Sequence, residues 1–312
     1  MAEPKIKVLS VNISEKKGTI KKPVSEIIID KSGIPNDAHS GNWHRQISLL
    51  GIESIDKFTK LTGKKIQFGE FAENITTQGI ILYETNPLDR LAIGNTLLEI
   101  TQIGKKCHGN NCAIYEQTSD CIMPKEGIFC RVLNGGKVKP EDEIIYKPKI
   151  YKIKIITLSD RASKGEYEDK SGIKIKEMLK TFLGNKKSDF DTIVIPDDKE
   201  ILSNILNKSK QENFDYIFTT GGTGISERDI TPDIVSGFLD KQIPGIMDSI
   251  RLKYGVNNTN ALISRAVSGV MGKSLVFTLP GSVRAVEEYM TEILKLLDHL
   301  LFMLHNIDIH HH

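Results

Sequence analysis

Apolar residues follow two different rhythms along this chain, and the change comes near Tyr146-Lys147-Pro148-Lys149. Before it, short apolar runs at 7–11, 27–29, 47–50 and 96–100 are separated by Gly, Pro, Asn and Asp. Short strands divided by turn-formers are the pattern of an all-β sandwich or barrel, so residues 1–148 are predicted to form a mostly-β barrel. One helix is expected after Gly51, with Ile52, Ile55 and Phe58 on one face and Gly63 near its end. From Lys152 onward, buried-type strands at 153–158, 192–195, 216–220 and 274–279 alternate with helical patterns around 172–183, 199–210, 232–239 and 244–254. A long helix is expected from Ser282, a suitable N-cap, with Val283, Val286, Tyr289, Met290 and Ile293 at helical spacing. Such alternation predicts a mostly parallel sheet covered by helices on both faces, a three-layer α/β sandwich, over residues 149–306. Residues 307–312 read as a tail; His310-His311-His312 resembles a truncated purification tag and is left out of metal reasoning.

Length agrees with two domains, since 312 residues exceed the size of one ordinary core. Charge adds little. Lys and Arg number 20 against 18 Asp and Glu over residues 1–148, and 22 against 22 over 149–312. Neither half has the basic excess of a nucleic-acid binder, and the pairs Lys16-Lys17, Lys21-Lys22, Lys64-Lys65 and Lys105-Lys106 read as solvated surface. The first residues lack the apolar core of a secretory signal. No apolar stretch reaches the length of a membrane span, and the Leu-rich end is broken by Lys295, Asp298 and His299. A soluble cytoplasmic protein is expected, without nucleic-acid or membrane partners. All four cysteines, Cys107, Cys112, Cys121 and Cys130, fall within one 24-residue window. A disulfide framework would need an exported chain. A closed zinc site is disfavoured by the absence of a Cys-x-x-Cys pair, so a reactive thiol is the preferred reading.

Chemistry in the second half concentrates at strand ends, where ligands of parallel sheets bind. Strand 153–158 ends in Ser159-Asp160-Arg161, 192–195 in Pro196-Asp197-Asp198, 216–220 in Gly221-Gly222-Thr223-Gly224, and 274–279 in Pro280-Gly281-Ser282. Glycines without Cβ atoms let backbone N–H groups approach an anion, although tight turns use the same tetrapeptide. Arg228-Asp229 precedes Thr231-Pro232-Asp233, which reads as a helix start capped by Thr231. Asp229 would then face Asp197 across the loop. Two carboxylates beside a phosphate cradle suit Mg²⁺; the alternative is that Asp197 caps a helix and Asp229 pairs with Arg228.

Residues 152–303 resemble the MoaB/Mog family of molybdopterin adenylyltransferases. The blocks that carry the resemblance are Leu158 to Ser163, Tyr167 to Gly172, Ile195-Pro196-Asp197, Thr219 to Gly224, Arg228 to Asp233, Ile243-Pro244-Gly245, Leu262 to Arg265 and Leu279 to Ser282. Val283 stands where members often have Pro, and a local loop change is expected there. The resemblance implies that molybdopterin and ATP give adenylylated molybdopterin and pyrophosphate. It implies Asp197 and Asp229 as catalytic Mg²⁺ ligands and Gly221, Gly222, Thr223 and Gly224 as the phosphate cradle. Ser159, Asp160, Ser264, Arg265, Pro280, Gly281 and Ser282 would seat pterin or nucleotide. A homo-oligomer, a trimer through this half, is also implied.

The first half presents Cys107 beside Lys105, Lys106 and His108, cations that favour thiolate, a soft ligand for molybdenum or a sulfur carrier. Cys130, inside an apolar run, reads as simply buried. Residues 7–146 resemble the MOSC domain, the molybdenum-cofactor sulfurase C-terminal type, through Asp37 to Gly41, Arg45 to Leu50, Phe68-Gly69-Glu70, Glu73 to Thr76, Leu91 to Gly94, Gln102, Gly127 to Phe129 and Val132 to Gly136. Cys107 falls at that family's characteristic cysteine, though Lys106 replaces a common Pro. The resemblance implies molybdenum-cofactor binding or sulfur handling, with Arg45, His39 and Asn74 as ligand contacts and Cys107 as reactive thiol or molybdenum ligand. A molybdenum-insertion protein or a cofactor-accepting enzyme is the expected protein partner. The competing reading is a non-catalytic carrier of molybdopterin or finished cofactor.

Overall fold

The computed structural model describes residues 5–105 and 121–307. Two compact units emerge, Met1–Lys149 with Asn306–His312, and Ile150–His305.

In the first unit the strands are β1 (Lys7–Ile13), β2 (Lys22–Val24), β3 (Ile27–Ile29), β4 (Ile47–Gly51), β5 (Ile75–Gln78), β6 (Arg90–Ile93), β7 (Thr96–Ile103), β8 (Ile128–Asn134), β9 (Gly136–Val138) and β10 (Ile144–Lys147), with helices α1 (Ile52–Thr62) and α2 (Met123–Glu126). Eight strands form one sheet in the order β10-β6-β7-β8-β4-β5-β1-β2, and β3 pairs with β9. Only β4 and β5 run parallel among the described pairs. The sheet curls until β1 approaches the chain entering β10, joined by a bridge from Lys7 to Glu143 and a bond from Ile144 N to Ile6 O of 2.8 Å. The expected barrel is met as a curled half-barrel. Alternation along β4, β5 and β7 sends Leu49, Ile75, Leu98 and Ile100 into its core, and a shift of register between Val8 and Ser10 of β1 lets Val8 and Val11, three residues apart, both join them. A second cluster, with Leu50, Ile55, Phe58, Phe71 and Phe129, lies beneath α1. Gly63 ends that helix in the left-handed region, where glycine carries no Cβ penalty.

The second unit contains β11 (Tyr151–Leu158), α3 (Asp160–Ser163), α4 (Lys170–Leu183), β12 (Ser188–Ile195), α5 (Lys199–Glu212), β13 (Tyr216–Thr220), α6 (Thr231–Phe238), β14 (Lys241–Gln242), α7 (Pro244–Gly255), β15 (Ser268–Met271), β16 (Ser274–Leu279), α8 (Val283–Ile293) and α9 (Leu297–Leu304). The sheet order is β12-β11-β13-β16-β15-β14. The first four strands are parallel, so their carboxyl ends share one rim; β15 and β14 continue antiparallel. Ile156, Leu158, Ile217 and Val276 pack with Leu202 and Leu206 of α5 and Ile234 and Val235 of α6. Helices α4 and α8 contact each other and strands β11 and β16. The long helix expected from Ser282 is divided: a turn at Leu294–Leu296 separates α8 from α9.

Candidate functional site

Strand ends of the second unit enclose a cavity of ≈ 420 Å³, lined by Ser159, Tyr167, Asp197, Gly221, Gly222, Thr223, Gly224, Arg228, Asp229 and Gly281 among others. Its floor is the loop after β13. Gly221 sits at φ +101°, and a Cβ there would lie 2.3 Å from the Leu158 carbonyl oxygen. At Gly224 a Cβ would stand 2.8 Å from Asp229 Oδ2. The close approach of β11 and of Asp229 therefore selects glycine at these positions. Thr231 does not cap α6. Its hydroxyl donates to Gly221 O (2.9 Å) and its N–H to Gly222 O (3.1 Å), so it pins the loop to the helix instead.

Asp197 and Asp229 line the cavity, and Asp160 stands behind Asp197 outside the lining. Asp160 and Asp197 bind reciprocally, each carboxylate accepting the other's backbone N–H at 3.1 and 3.3 Å. The N-cap of α5 is Asp198, not Asp197, because the Asp198 side chain accepts from Ile201 N; Asp197 is left facing the cavity. Burial pushes the Asp197 carboxyl up, helped by the charges of Asp160 and Asp229 and opposed by the Asp160 N–H. Asp229 moves the other way. Burial opposes the shift, but the Ser226 hydroxyl (2.7 Å) and N–H (2.8 Å), with the Arg265 charge, hold its carboxyl below the usual range.

A second cavity of ≈ 310 Å³ shares Thr223 and Gly224 with the first and is lined by Asn258, Asn260, Ile263, Ser264, Pro280, Ser282, Ala285 and Tyr289. Ser264, Pro280 and Ser282 thus lie in this neighbouring cavity, and Ser282 also caps α8 through Ala285 N (3.3 Å). Ser159 caps α3 and meets Tyr167 Oη at 2.9 Å. Arg265 differs from expectation. Its guanidinium binds Gly224 O, Asp229 O and Asp233, and the residue is not part of the lining of either cavity. Tyr167, Ser171, Ser226 and Arg228 also line the first cavity without having been singled out. Tyr167, Ser171 and Arg228 lie inside the quoted blocks, and Arg228 adjoins Asp229 in sequence.

In the first unit Lys21 Nζ reaches both Asp37 oxygens (2.7 and 2.6 Å), and neither side chain is exposed. Burial lowers the Lys21 ammonium, while Lys21 and His39 hold Asp37 well below the usual carboxylate range despite its burial. Burial, with the Lys21 charge, also lowers His39, whose Nδ1 stands 3.6 Å from Asp37 Oδ1. Trp43 is flanked by His39, stacked at 6.4 Å, and by Arg45 and Lys17 at 4.8 and 5.5 Å from its ring. The pair Lys21-Lys22 reads as surface in the sequence, but Lys21 is buried; its depth comes from tertiary packing, which one Lys-Lys pair does not signal. Asn74 is fully buried, and its amide joins Ser48 to the Asn12 carbonyl. It is a crosslink of the sheet, not an accessible ligand contact. Cys107 and Cys112 lie outside the described residues. Cys130 is buried, and burial raises its thiol.

Residues 154–299 match the family described as "Probable molybdopterin binding domain", and residues 36–145 match the MOSC domain. Molybdenum cofactor biosynthesis protein B of Bacillus cereus is 38% identical over 162 residues, covering 51% of this chain and 93% of that protein. The chain belongs to the molybdopterin-binding family of molybdenum cofactor biosynthesis proteins. Within that family, molybdopterin adenylyltransferase of Helicobacter pylori (strain J99) is 36% identical over 137 residues, 44% of this chain and 77% of that protein. A solved structure of a molybdenum cofactor biosynthesis protein B is 36% identical, with a TM-score of 0.46 over 51% of this chain and 98% of the other. The molybdopterin-binding family match contains both cavities, and the MOSC match contains Asp37, His39, Trp43, Arg45 and Glu73. Among the described residues no helix is long and apolar enough to cross a membrane.

The donor set suits Mg²⁺. Two carboxylates line one cavity, and among the described residues no cluster of three or more His, Cys, Asp or Glu would hold an ion alone. Mg²⁺ is commonly held this way, by one or two carboxylates with substrate phosphates completing its shell.

Proposed function

We propose that the molybdopterin-binding half transfers an adenylyl group from ATP to molybdopterin. An oxygen of the pterin's phosphate attacks the α-phosphorus of ATP; the bond from that phosphorus to the bridging oxygen of the β-phosphate breaks, and pyrophosphate leaves. The observation that carries the reading is the placement of Asp197, Asp229 and the Gly221–Gly224 loop around one cavity. The glycine loop brings backbone N–H groups close to an anion, and Arg228 adds a cation on the same wall. Bound Mg²⁺, held by Asp197 and Asp229, would neutralise triphosphate charge. The raised Asp197 carboxyl fits a pair of carboxylates that gains from a cation between them. Relatives named for this activity or pathway support the assignment.

The MOSC half is read as binding molybdenum cofactor or handling sulfur through Cys107, with His39 and Arg45 beside Trp43 as contacts. A homo-oligomer through the second unit belongs to the same reading, supported by exposed Leu252, Val256, Leu262 and Ile263 on α7 and the turn after it.

The test is incubation of the full chain with molybdopterin and Mg-ATP, following adenylylated pterin and pyrophosphate. Asp229→Asn and Asp197→Asn are each expected to lower turnover by about 10²-fold or more while pterin binding is retained, a loss typical of one removed charge-stabilising group. Pterin binding without product in the wild type would favour the carrier reading.

A further inference from the structure

Arg265 ties the two cavities of the second unit together. Its backbone N–H donates to Thr223 O (2.9 Å), its Nε to Gly224 O (2.7 Å) and its Nη2 to Asp229 O. Nη1 reaches both carboxylate oxygens of Asp233 at 2.8 and 2.9 Å, in the first turn of α6. Gly224 O and Asp229 O bracket the turn that carries Ser226, the residue whose hydroxyl and amide hold the Asp229 carboxylate. Immediately before Arg265, Ile263 and Ser264 form part of the wall of the second cavity. A guanidinium is planar and presents its donors in a fixed fork, so acceptors on one fork cannot shift independently. Lysine, a single point of charge on a flexible stem, would hold one of them at a time.

We propose that Arg265 is a positioning residue that links the seating of a ring in the second cavity to the aim of Asp229 in the first. The inference rests on the adenylyltransferase reading of this site. A substrate whose ring contacts Ser264 and Tyr289 presses on the segment that carries Arg265, and the fork passes that fit to the Gly224–Asp229 turn. Arg265 itself does not touch the reacting atoms. Asp233 completes the fork from outside both cavities, and its loss loosens the same turn.

The experiment uses the full chain with Arg265→Lys, Arg265→Ala and Asp233→Asn. Three quantities are read: turnover and KM for pterin, pterin binding by its fluorescence, and Mn²⁺ affinity by electron paramagnetic resonance, with and without pterin. In Arg265→Lys, kcat is expected to fall about 10- to 100-fold, the cost of charge-assisted hydrogen bonds lost at one group. Pterin binding in that variant stays within about threefold, and the tightening of Mn²⁺ by pterin is lost. Asp233→Asn shows the same pattern to a smaller degree, and guanidinium ion added to Arg265→Ala restores part of both readouts. Unchanged Mn²⁺ tightening in Arg265→Lys overturns the proposal. So does a parallel loss of pterin binding and turnover that guanidinium does not restore. A wild type that tightens Mn²⁺ with pterin but makes no adenylylated product overturns the enzyme reading and leaves Arg265 to be judged on the Mn²⁺ measurement.

Discussion

Glu73 shows how far a buried polar group can depart from its surface behaviour. Its Oε1 accepts from Gly69 N (2.6 Å) and Thr76 Oγ1 (2.9 Å), but Oε2 has no hydrogen-bond partner among the described residues. Burial raises the carboxyl, outweighing those bonds. A carboxyl raised on folding binds its proton more tightly in the native state. Its contribution to stability is therefore present at low pH and lost as pH rises from the ordinary carboxylate value through the raised one. Glu73→Gln, neutral throughout, is expected to gain in melting temperature relative to wild type as pH rises from about 4, the ordinary carboxylate value, upward. A constant difference across that range in calorimetry would show that Glu73 is charged in the folded state. The MOSC resemblance implies the neighbouring Asn74, in the same sequence block, as a ligand contact, and the structure buries it. A motif places such residues together, but only the packed sheet shows which of them faces a ligand and which fastens strands.

Elements were most legible where period and punctuation agreed. Strands β13 and β16 and the start of α7 were anticipated at their observed bounds, since buried apolar runs ended in Gly or Pro. Strands β14 and β15 were not anticipated. Each is short, and Ser268-Gly269 offers neither period nor β-branched bulk; their pairing beside β16 comes from tertiary contact. The break between α8 and α9 was hidden because Leu294-Lys295-Leu296 continues the apolar spacing. Of the two readings of Asp197, metal ligand or helix cap, the structure gives the cap to its neighbour: Asp198 caps α5 while Asp197 faces the cavity. Asp198→Ala is expected to cost about 1 kcal/mol of stability in urea denaturation and to leave adenylylation near the wild-type rate. A rate loss as large as that of Asp197→Asn would mean that the two residues share one role.

Each unit has its own buried core, one of curled, mostly antiparallel strands and one of mostly parallel strands under helices. Chemistry assigned to one should therefore survive loss of a reactive group in the other. Cys107→Ser is expected to abolish loading of sulfur or molybdenum on the MOSC half while adenylylation stays within about twofold, as for independent sites. Loading that persists in Cys107→Ser and fails in Cys112→Ser would move the reactive thiol to Cys112. The division of the chain was readable because the two halves bury apolar residues at different periods. The Lys21–Asp37 pair inside the first was not readable, because depth is a property of the folded sheet. The chain has one tryptophan, Trp43, seated between His39 and the cations Arg45 and Lys17. Its indole emission is thus a reporter carried by the MOSC half, and a change in it on adding a ligand can be read without any label being attached.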